Sequence, residues 1–262
     1  MRNSKDFSTI TELPNTMVTS LQLKRAHHRY MLASDYCDQG DYILEIACGG
    51  GQGLGILAEN AKKVVGIDLD VANIKICQKS YESHKKVTAL VMSAENLDFP
   101  DSNFDCIIVY EAIYYFQDVN RVFNEIGRVL KKGGKLIICT ANKDWPEFNP
   151  SQFSTKYYSV PELKVLTENY GYTVSMYGAF PDVKSSFKAL FISKIKRFAV
   201  KFNLMPKTMK GKVLLKKLFF GNMKKYPEIL ERDMFEFTMP VTLDASKEDT
   251  VHTALYAVCV KK

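Results

Sequence analysis

An α/β protein built on a mostly parallel sheet is what this 262-residue sequence predicts, and two observations carry the prediction. From Tyr42 onward, short apolar runs alternate with helical patterns. The first of those runs ends in a glycine-rich turn, ILEIACGGGQG, with four glycines between Gly49 and Gly53. Strands alternating with helices of this length argue for a parallel sheet covered on both faces.

In chain order, residues 1–40 read as a helical lead-in. The stretch SLQLKRAHHRYMLASDYC combines helix formers with apolar residues at helical spacing. The strand-like runs are YILEIA, KVVGIDL, KVTALVM, FDCIIVY and GKLIICT, followed later by YTVSMYG and TALYAVCV. Helical patterns at 54–60, 71–83 and 119–130 lie among the first five. Gly133-Gly134, after RVLKK, stops the third helix and turns the chain into the next strand. A loop rich in aromatics and proline then leads to a helix start, with Ser159 as cap and Pro161 in the first turn, and that helix closes on Gly171.

Composition places the chain among globular proteins, at 46% hydrophobic and 12% aromatic residues. No apolar run approaches the ~20 residues of a membrane-spanning helix, and MRNSKDFSTITELPN lacks the apolar core of a signal peptide. Six cysteines show neither close pairing nor zinc-type spacing and sit mostly in apolar runs. The expectation is reduced, buried thiols in a cytoplasmic protein. The net charge of +7 is concentrated: residues 183–227 hold 13 Lys or Arg and no acid. The rest of the chain carries 23 basic residues against 29 acidic ones.

A glycine turn after a strand brings backbone against a ligand, and the flanking residues narrow which one. A phosphate loop needs Gly-Lys-Ser/Thr, whereas Gly53 is followed by Leu54 and Gly55, so nucleotide hydrolysis is excluded. The dinucleotide pattern G-x-G-x-x-G fails at its third position whether it starts from Gly49 or from Gly51. The acid in the strand end is more telling. The spacing Glu45, Ala47, Gly49, Gly51 resembles the E/D-x-G-x-G-x-G loop of class I S-adenosylmethionine (SAM) methyltransferases, with Ala47 in place of the first glycine.

Three further pieces resemble that family in the same order. GIDLD ends the second strand about 20 residues on, where an acid accepts both ribose hydroxyls; Asp68 matches that position and Leu69 follows it. SAENLDFPDSNFD resembles the adenine-bracketing stretch, with Ser93 where the family usually has Asp and with Ala94 and Glu95 keeping the pattern. RVLKKGGKLII matches the turn into the fifth strand. The resemblance implies a three-layer, Rossmann-like fold with a seven-stranded sheet whose last strand is antiparallel. It also implies SAM as cofactor, with S-adenosyl-L-homocysteine as product. The division expected is a helical cap over 1–40, a core formed by 41–180 with 246–262, and a basic helical lid over 181–245.

Methyl transfer from a sulfonium needs positioning and exclusion of water, and a base only where the nucleophile must lose a proton. The candidates lie past the carboxyl ends of the strands. By the resemblance, Tyr110 joins the cofactor residues, Glu111 is the candidate carboxylate, and Tyr114 and Tyr115 line the space beside the methyl group. Tyr30, in the N-terminal helix, is a further substrate candidate. His28, beside His27 in the same helix, and His252, opening the last strand, are the candidate proton acceptors. No acidic cluster at metal-ligand spacing is visible, so no metal is expected. VYEAIYY is neither the Pro-Pro-aromatic turn of amino-methylating DNA enzymes nor the Pro-Cys of cytosine-C5 enzymes. The acceptor expected is therefore O or N of a small molecule, ranked toward a sugar or lipid-linked glycan.

The basic segment 183–227 spaces Phe187, Leu190, Phe191, Ile195, Phe198 and Phe202 on one helical stripe among lysines. It reads as an amphipathic helical lid with its apolar stripe on the core and its lysines in water; the sharper alternative is that the lid also meets an anion, either a phosphate or an anionic membrane surface at the inner face. The phenylalanines fall where a core would claim them, which argues against nucleic acid. Two other classes compete. One is a non-catalytic membrane-surface or polyanion-binding protein on the same fold. The other is an NAD(P)-dependent reductase, which leaves AENLDF and RVLKKGG without an account.

Overall fold

The computed structural model describes residues 13–182 and 223–262. The stripe of phenylalanines and most of the basic segment lie outside the described residues. The chain opens with β1 (Met17–Thr19) and α1 (Ser20–Tyr36). Thr19 caps α1 through a capping box with Gln22. Then come β2 (Tyr42–Ile46), α2 (Leu54–Ala58), β3 (Lys63–Asp68), α3 (Val71–Ser80), β4 (Val87–Val91) and β5 (Phe104–Tyr110). After a 3₁₀ turn at Ile113–Tyr115 follow α4 (Val119–Val129), β6 (Leu130–Ala141), α5 (Val160–Asn169) and β7 (Tyr172–Pro181). The described residues end with β8 (Met223–Lys225), β9 (Val241–Thr242) and β10 (His252–Lys261).

Eight strands form the main sheet in the order β4-β3-β2-β5-β6-β10-β7-β9. Strands β2 to β6 are parallel, and β10 runs antiparallel between β6 and β7. All seven expected strands are present, with the antiparallel last strand where the resemblance puts it. The alternation within each strand sorts the core onto two faces. Ile43, Val64, Ile108 and Ile137 face α1 to α3, in a cluster with Leu23, Leu57 and Ile74. Leu44, Val65, Ile107 and Leu136 face α4 and α5, in a cluster with Phe123, Ile126 and Leu163. Those two apolar layers make the sandwich of helix, sheet and helix.

Three local differences from the sequence reading have physical causes. Gly133, at φ +75°, lies within β6, where the register against β5 shifts between Phe104 and Cys106. The glycine pair therefore makes a bulge inside the strand, and the helix stops earlier, at Leu130. The described end of the expected helical lid, residues 223–245, contains no helix. It holds β8, which pairs with β1, an irregular strap, and β9, which extends the main sheet beside β7. The strap is fixed by side chains that one-dimensional periodicity does not register: Tyr226 and Leu230 are buried, and His27 Nε2 donates to the Arg232 carbonyl at 2.8 Å. All six cysteines are free, and five of them are buried. Among the described residues, no helix is long and apolar enough to cross a membrane.

Candidate functional site

A cavity of about 950 Å³ opens at the carboxyl ends of β2, β3 and β5, at the upper end of the ~300–1,000 Å³ range of small-molecule sites. One half is formed by the glycine turn, Asp68, Leu69 and residues 92–95. The other half is formed by Arg25 and Arg29 of α1, residues 110–117 and Tyr226.

The turn between β2 and α2 gets its shape from left-handed backbone at Ala47 (φ +60°), Gly49 (φ +56°) and Gly51 (φ +75°). The Gly49 amide donates to Asp68 Oδ2 at 2.9 Å, so the acid at the end of β3 holds the turn against its own strand. Asp68 Oδ1 accepts from the Asp70 amide at 2.8 Å. Burial raises its carboxyl above the ordinary value, against the pull of these amide donors. Gly51 does not line the cavity, although the sequence reading places it with the cofactor. A Cβ there would stand 2.2 Å from Cys77 Sγ, so this glycine lets the turn pack on α3. Ala47 does line the cavity.

Glu45 is the most buried acid of the site, 2% exposed. Tyr30 donates to its Oε1 at 2.8 Å, while Oε2 is buried with no hydrogen-bond partner among the described residues. Desolvation pushes its carboxyl up to about 8, with the Tyr30 hydroxyl and the positive charge of Arg29 acting in the opposite direction. A buried acceptor without a donor costs about 1–3 kcal/mol, and an ammonium group is the ligand chemistry that relieves it. The Glu45 carboxylate, the left-handed turn and the ribose-type acid Asp68 together suit the amino end and ribose of SAM. Tyr30, expected at the acceptor, instead spends its hydroxyl on Glu45 and lays its ring where a Cβ on Gly53 would sit, 2.2 Å away.

On the adenine side, Leu69 is exposed into the cavity beside Ser93 and Ala94. Ser93 Oγ accepts from the Glu95 amide at 3.2 Å, and Glu95 Oε1 accepts from the Asp118 amide at 3.3 Å. Glu95 thus ties this loop to the start of α4.

Past β5, Tyr110 donates to the Arg29 carbonyl at 2.6 Å. Glu111 follows at φ +51°, a left-handed conformation unusual for a residue with a side chain. Its carboxylate lies 3.5 Å from Arg29 Nη1 and accepts from the Tyr114 hydroxyl at 2.8 Å. Tyr114 stacks on Tyr157, with ring centroids 4.4 Å apart, so the aromatic loop that follows β6 backs this wall.

Neither candidate histidine reaches the cavity. His28 Nε2 donates to the Thr238 carbonyl, and Nδ1 accepts from the Tyr256 hydroxyl, each at 2.9 Å. Burial lowers its pKa, so the ring stays neutral and fastens α1 to β10 and the strap. His252 sits over Gly178 with Nδ1 3.1 Å from both Asp249 oxygens, and Asn142 donates to its carbonyl at 2.7 Å. Both belong to packing around β10. The sequence reading missed Arg25, Arg29 and Tyr226. Gln22, Arg25 and Arg29 were legible as one polar face at i, i+3 and i+7 of α1, but only the fold shows that this face meets the strand ends.

Residues 44–138 match the methyltransferase-domain family. A demethylmenaquinone methyltransferase of Symbiobacterium thermophilum is 34% identical over 130 residues, covering 46% of this chain and 51% of that protein. A phthiotriol/phenolphthiotriol dimycocerosates methyltransferase of Mycobacterium leprae is 37% identical over 99 residues, covering 37% and 36%. The chain spans about half the length of the first of these and about a third of the second. The crystal structure of the YcgJ protein from Bacillus subtilis shares the fold over 90% of this chain and 99% of its own, at TM-score 0.58 and 15% identity. Together with the sheet order and the glycine turn, these likenesses show a methyltransferase domain at residues 44–138, similar to methyltransferases in sequence and set in a fold shared with the YcgJ protein.

Proposed function

We propose that the protein transfers the methyl group of SAM to an oxygen or nitrogen of a small molecule, with a sugar or lipid-linked glycan ranked first. The observation that carries the reading is Glu45: a buried carboxylate with one unpartnered oxygen, beside a left-handed glycine turn fastened to Asp68. When bound, SAM supplies a methyl group on a sulfonium, a leaving group that needs no metal.

The residues of the chain do the remaining work. Glu45 takes the amino end of the cofactor, Asp68 the ribose, and Leu69 and Ala94 pack at the base, with Ser93 beside them. Tyr110, Glu111 and Tyr114 form the wall between the cofactor half and the acceptor half. Bound SAM would supply the methyl carbon and keep the sulfur–carbon bonding pair, leaving the acceptor's lone pair to form the new bond. A neutral nucleophile must also lose a proton, for which Glu111, lining the acceptor half, is the candidate carboxylate. The basic stretch 183–227 adds contact with a phosphate or an anionic membrane surface on this reading.

Mass spectrometry of ligand released from the purified protein, followed by calorimetric titration with SAM, S-adenosylhomocysteine and NAD, tests the proposal. S-adenosyl ligands should bind and NAD should not. NAD binding alone would return the reductase reading. Binding to anionic vesicles together with SAM binding, but no transfer across an acceptor panel, would favour the non-catalytic one.

A further inference from the structure

The acceptor half of the cavity carries two guanidinium groups, from Arg25 and Arg29 on one face of α1. Glu111 pairs with Arg29 at 3.5 Å. Among the described residues, no carboxylate lies within ion-pair distance of Arg25; Glu111 acts on it only at longer range. Its fixed partners are neutral. Arg25 Nη2 donates to Thr253 Oγ1 at 2.7 Å, Thr253 passes the bond on to the Phe180 carbonyl at 3.1 Å, and the guanidinium lies 5.3 Å over the Phe180 ring. Its Nε is buried without a hydrogen-bond partner.

A hydroxyl and an aromatic face orient a guanidinium without neutralising it. Burying such a charge is costly unless a counter-charge arrives. The other acids of the cavity are committed elsewhere: Glu45 to Tyr30, Asp68 to the glycine turn and Glu95 to the start of α4. A cofactor sulfonium would add a second positive charge to the same space.

The geometry points to an acceptor that bears an oxyanion, a carboxylate or a phosphate, seated on Arg25. This deepens the methyltransferase reading and rests on its division of the cavity into cofactor and acceptor halves. Arg25 is an acceptor-binding residue on this inference, lining the same cavity as Glu111 and Tyr114. The restriction would exclude neutral sugars and neutral lipids that lack such a group.

The test uses the full chain saturated with S-adenosylhomocysteine and two probes, inorganic phosphate and acetate, each titrated by calorimetry and by the Nε–H signals of ¹⁵N-arginine. One probe or both should bind saturably and shift the Arg25 signal; whichever binds more tightly names the source as phosphate or carboxylate. Arg25→Gln should weaken that binding at least tenfold and Arg25→Lys severalfold. Lys24→Gln, on the exposed neighbour, should leave it as it was. S-adenosylhomocysteine affinity should be the same in all variants. If Arg25→Gln fails to fold, the wild-type Arg25 signal and Arg25→Lys decide the matter. Absence of saturable binding to the wild type, or equal binding by Arg25→Gln, overturns the inference. S-adenosylhomocysteine binding without oxyanion binding sinks this inference alone. Oxyanion binding on Arg25 without S-adenosylhomocysteine binding sinks the methyltransferase reading instead.

Discussion

Ala47 occupies a backbone conformation that costs a residue with a Cβ about 1–2 kcal/mol, at the position where its family places glycine. Ala47→Gly removes that strain and adds backbone entropy to the unfolded chain. A net stabilisation of about 0.5–1 kcal/mol is expected by denaturant titration, with SAM affinity unchanged. Glu45 links the same turn to pH. Its folded-state pKa of about 8 lies above the ordinary 4.5, so between these values the folded protein holds a proton that the unfolded chain has lost. Stability of the ligand-free protein therefore falls as pH rises through that window. Cofactor affinity should move the other way, because an ammonium needs the carboxylate: it should rise by up to about tenfold per pH unit and level off near pH 8. Calorimetry in buffers of different ionisation enthalpy should detect proton release below pH 8, and Glu45→Gln should abolish both the release and the slope. Asp68→Ala removes an acceptor from the ribose and the anchor of the Gly49 amide together. A loss of roughly 10- to 100-fold in SAM affinity is expected from charge-assisted bonds of ~1.5–3 kcal/mol; unchanged affinity would refute the ribose assignment.

Helix α1 shows how one element serves both the core and the site. Leu23, Ala26 and Leu32 bury its apolar positions, Tyr30 braces Glu45, and Arg25 and Arg29 enter the cavity. His28 holds the helix down through Tyr256 and Thr238 and packs against Phe180 and Phe237. His28→Ala removes a partner from the Tyr256 hydroxyl and from the Thr238 carbonyl and opens a void. A loss of about 2–4 kcal/mol in unfolding free energy is expected, with SAM affinity unchanged; a loss of transfer at full stability would restore a catalytic role. The glycine turn divides its labour in a similar way. Gly49 faces the cavity, Gly51 makes room for Cys77, and Gly53 makes room for Tyr30.

For the molecule as a whole, the antiparallel β10 between β6 and β7 leaves the described residues on either side of 183–222 on the cavity side. Asp182 follows the carboxyl end of β7, and Met223 pairs with Thr19 at the start of α1. A cofactor bound across β2, β3 and β5 clamps the parallel half of the sheet. SAM at about 100 times its dissociation constant should add ~2.7 kcal/mol of stability. In a chain of this size that is roughly 5–10 °C in Tm by calorimetry, with no such shift from NAD.

The strand and helix order, the glycine turn, Glu45 and Asp68 were all legible in one dimension. Alternation of period two, helical periodicity and glycine-dependent turns are local consequences of backbone sterics, and local order survives being read without a fold. What folding alone decided were the meetings between distant positions. Tyr30 is spent on Glu45 fifteen residues away, and Arg25 is oriented by Thr253 at a separation of 228. His28 looks reactive in sequence, yet both its ring nitrogens are engaged by Tyr256 and Thr238, more than 200 residues away, whereas His252 Nδ1 is held by Asp249 only three residues before it. Both the Arg25 charge, without a counter-ion among the described residues, and the engagement of His28 follow from which surfaces the closed sheet brings together. No periodicity along the chain encodes that.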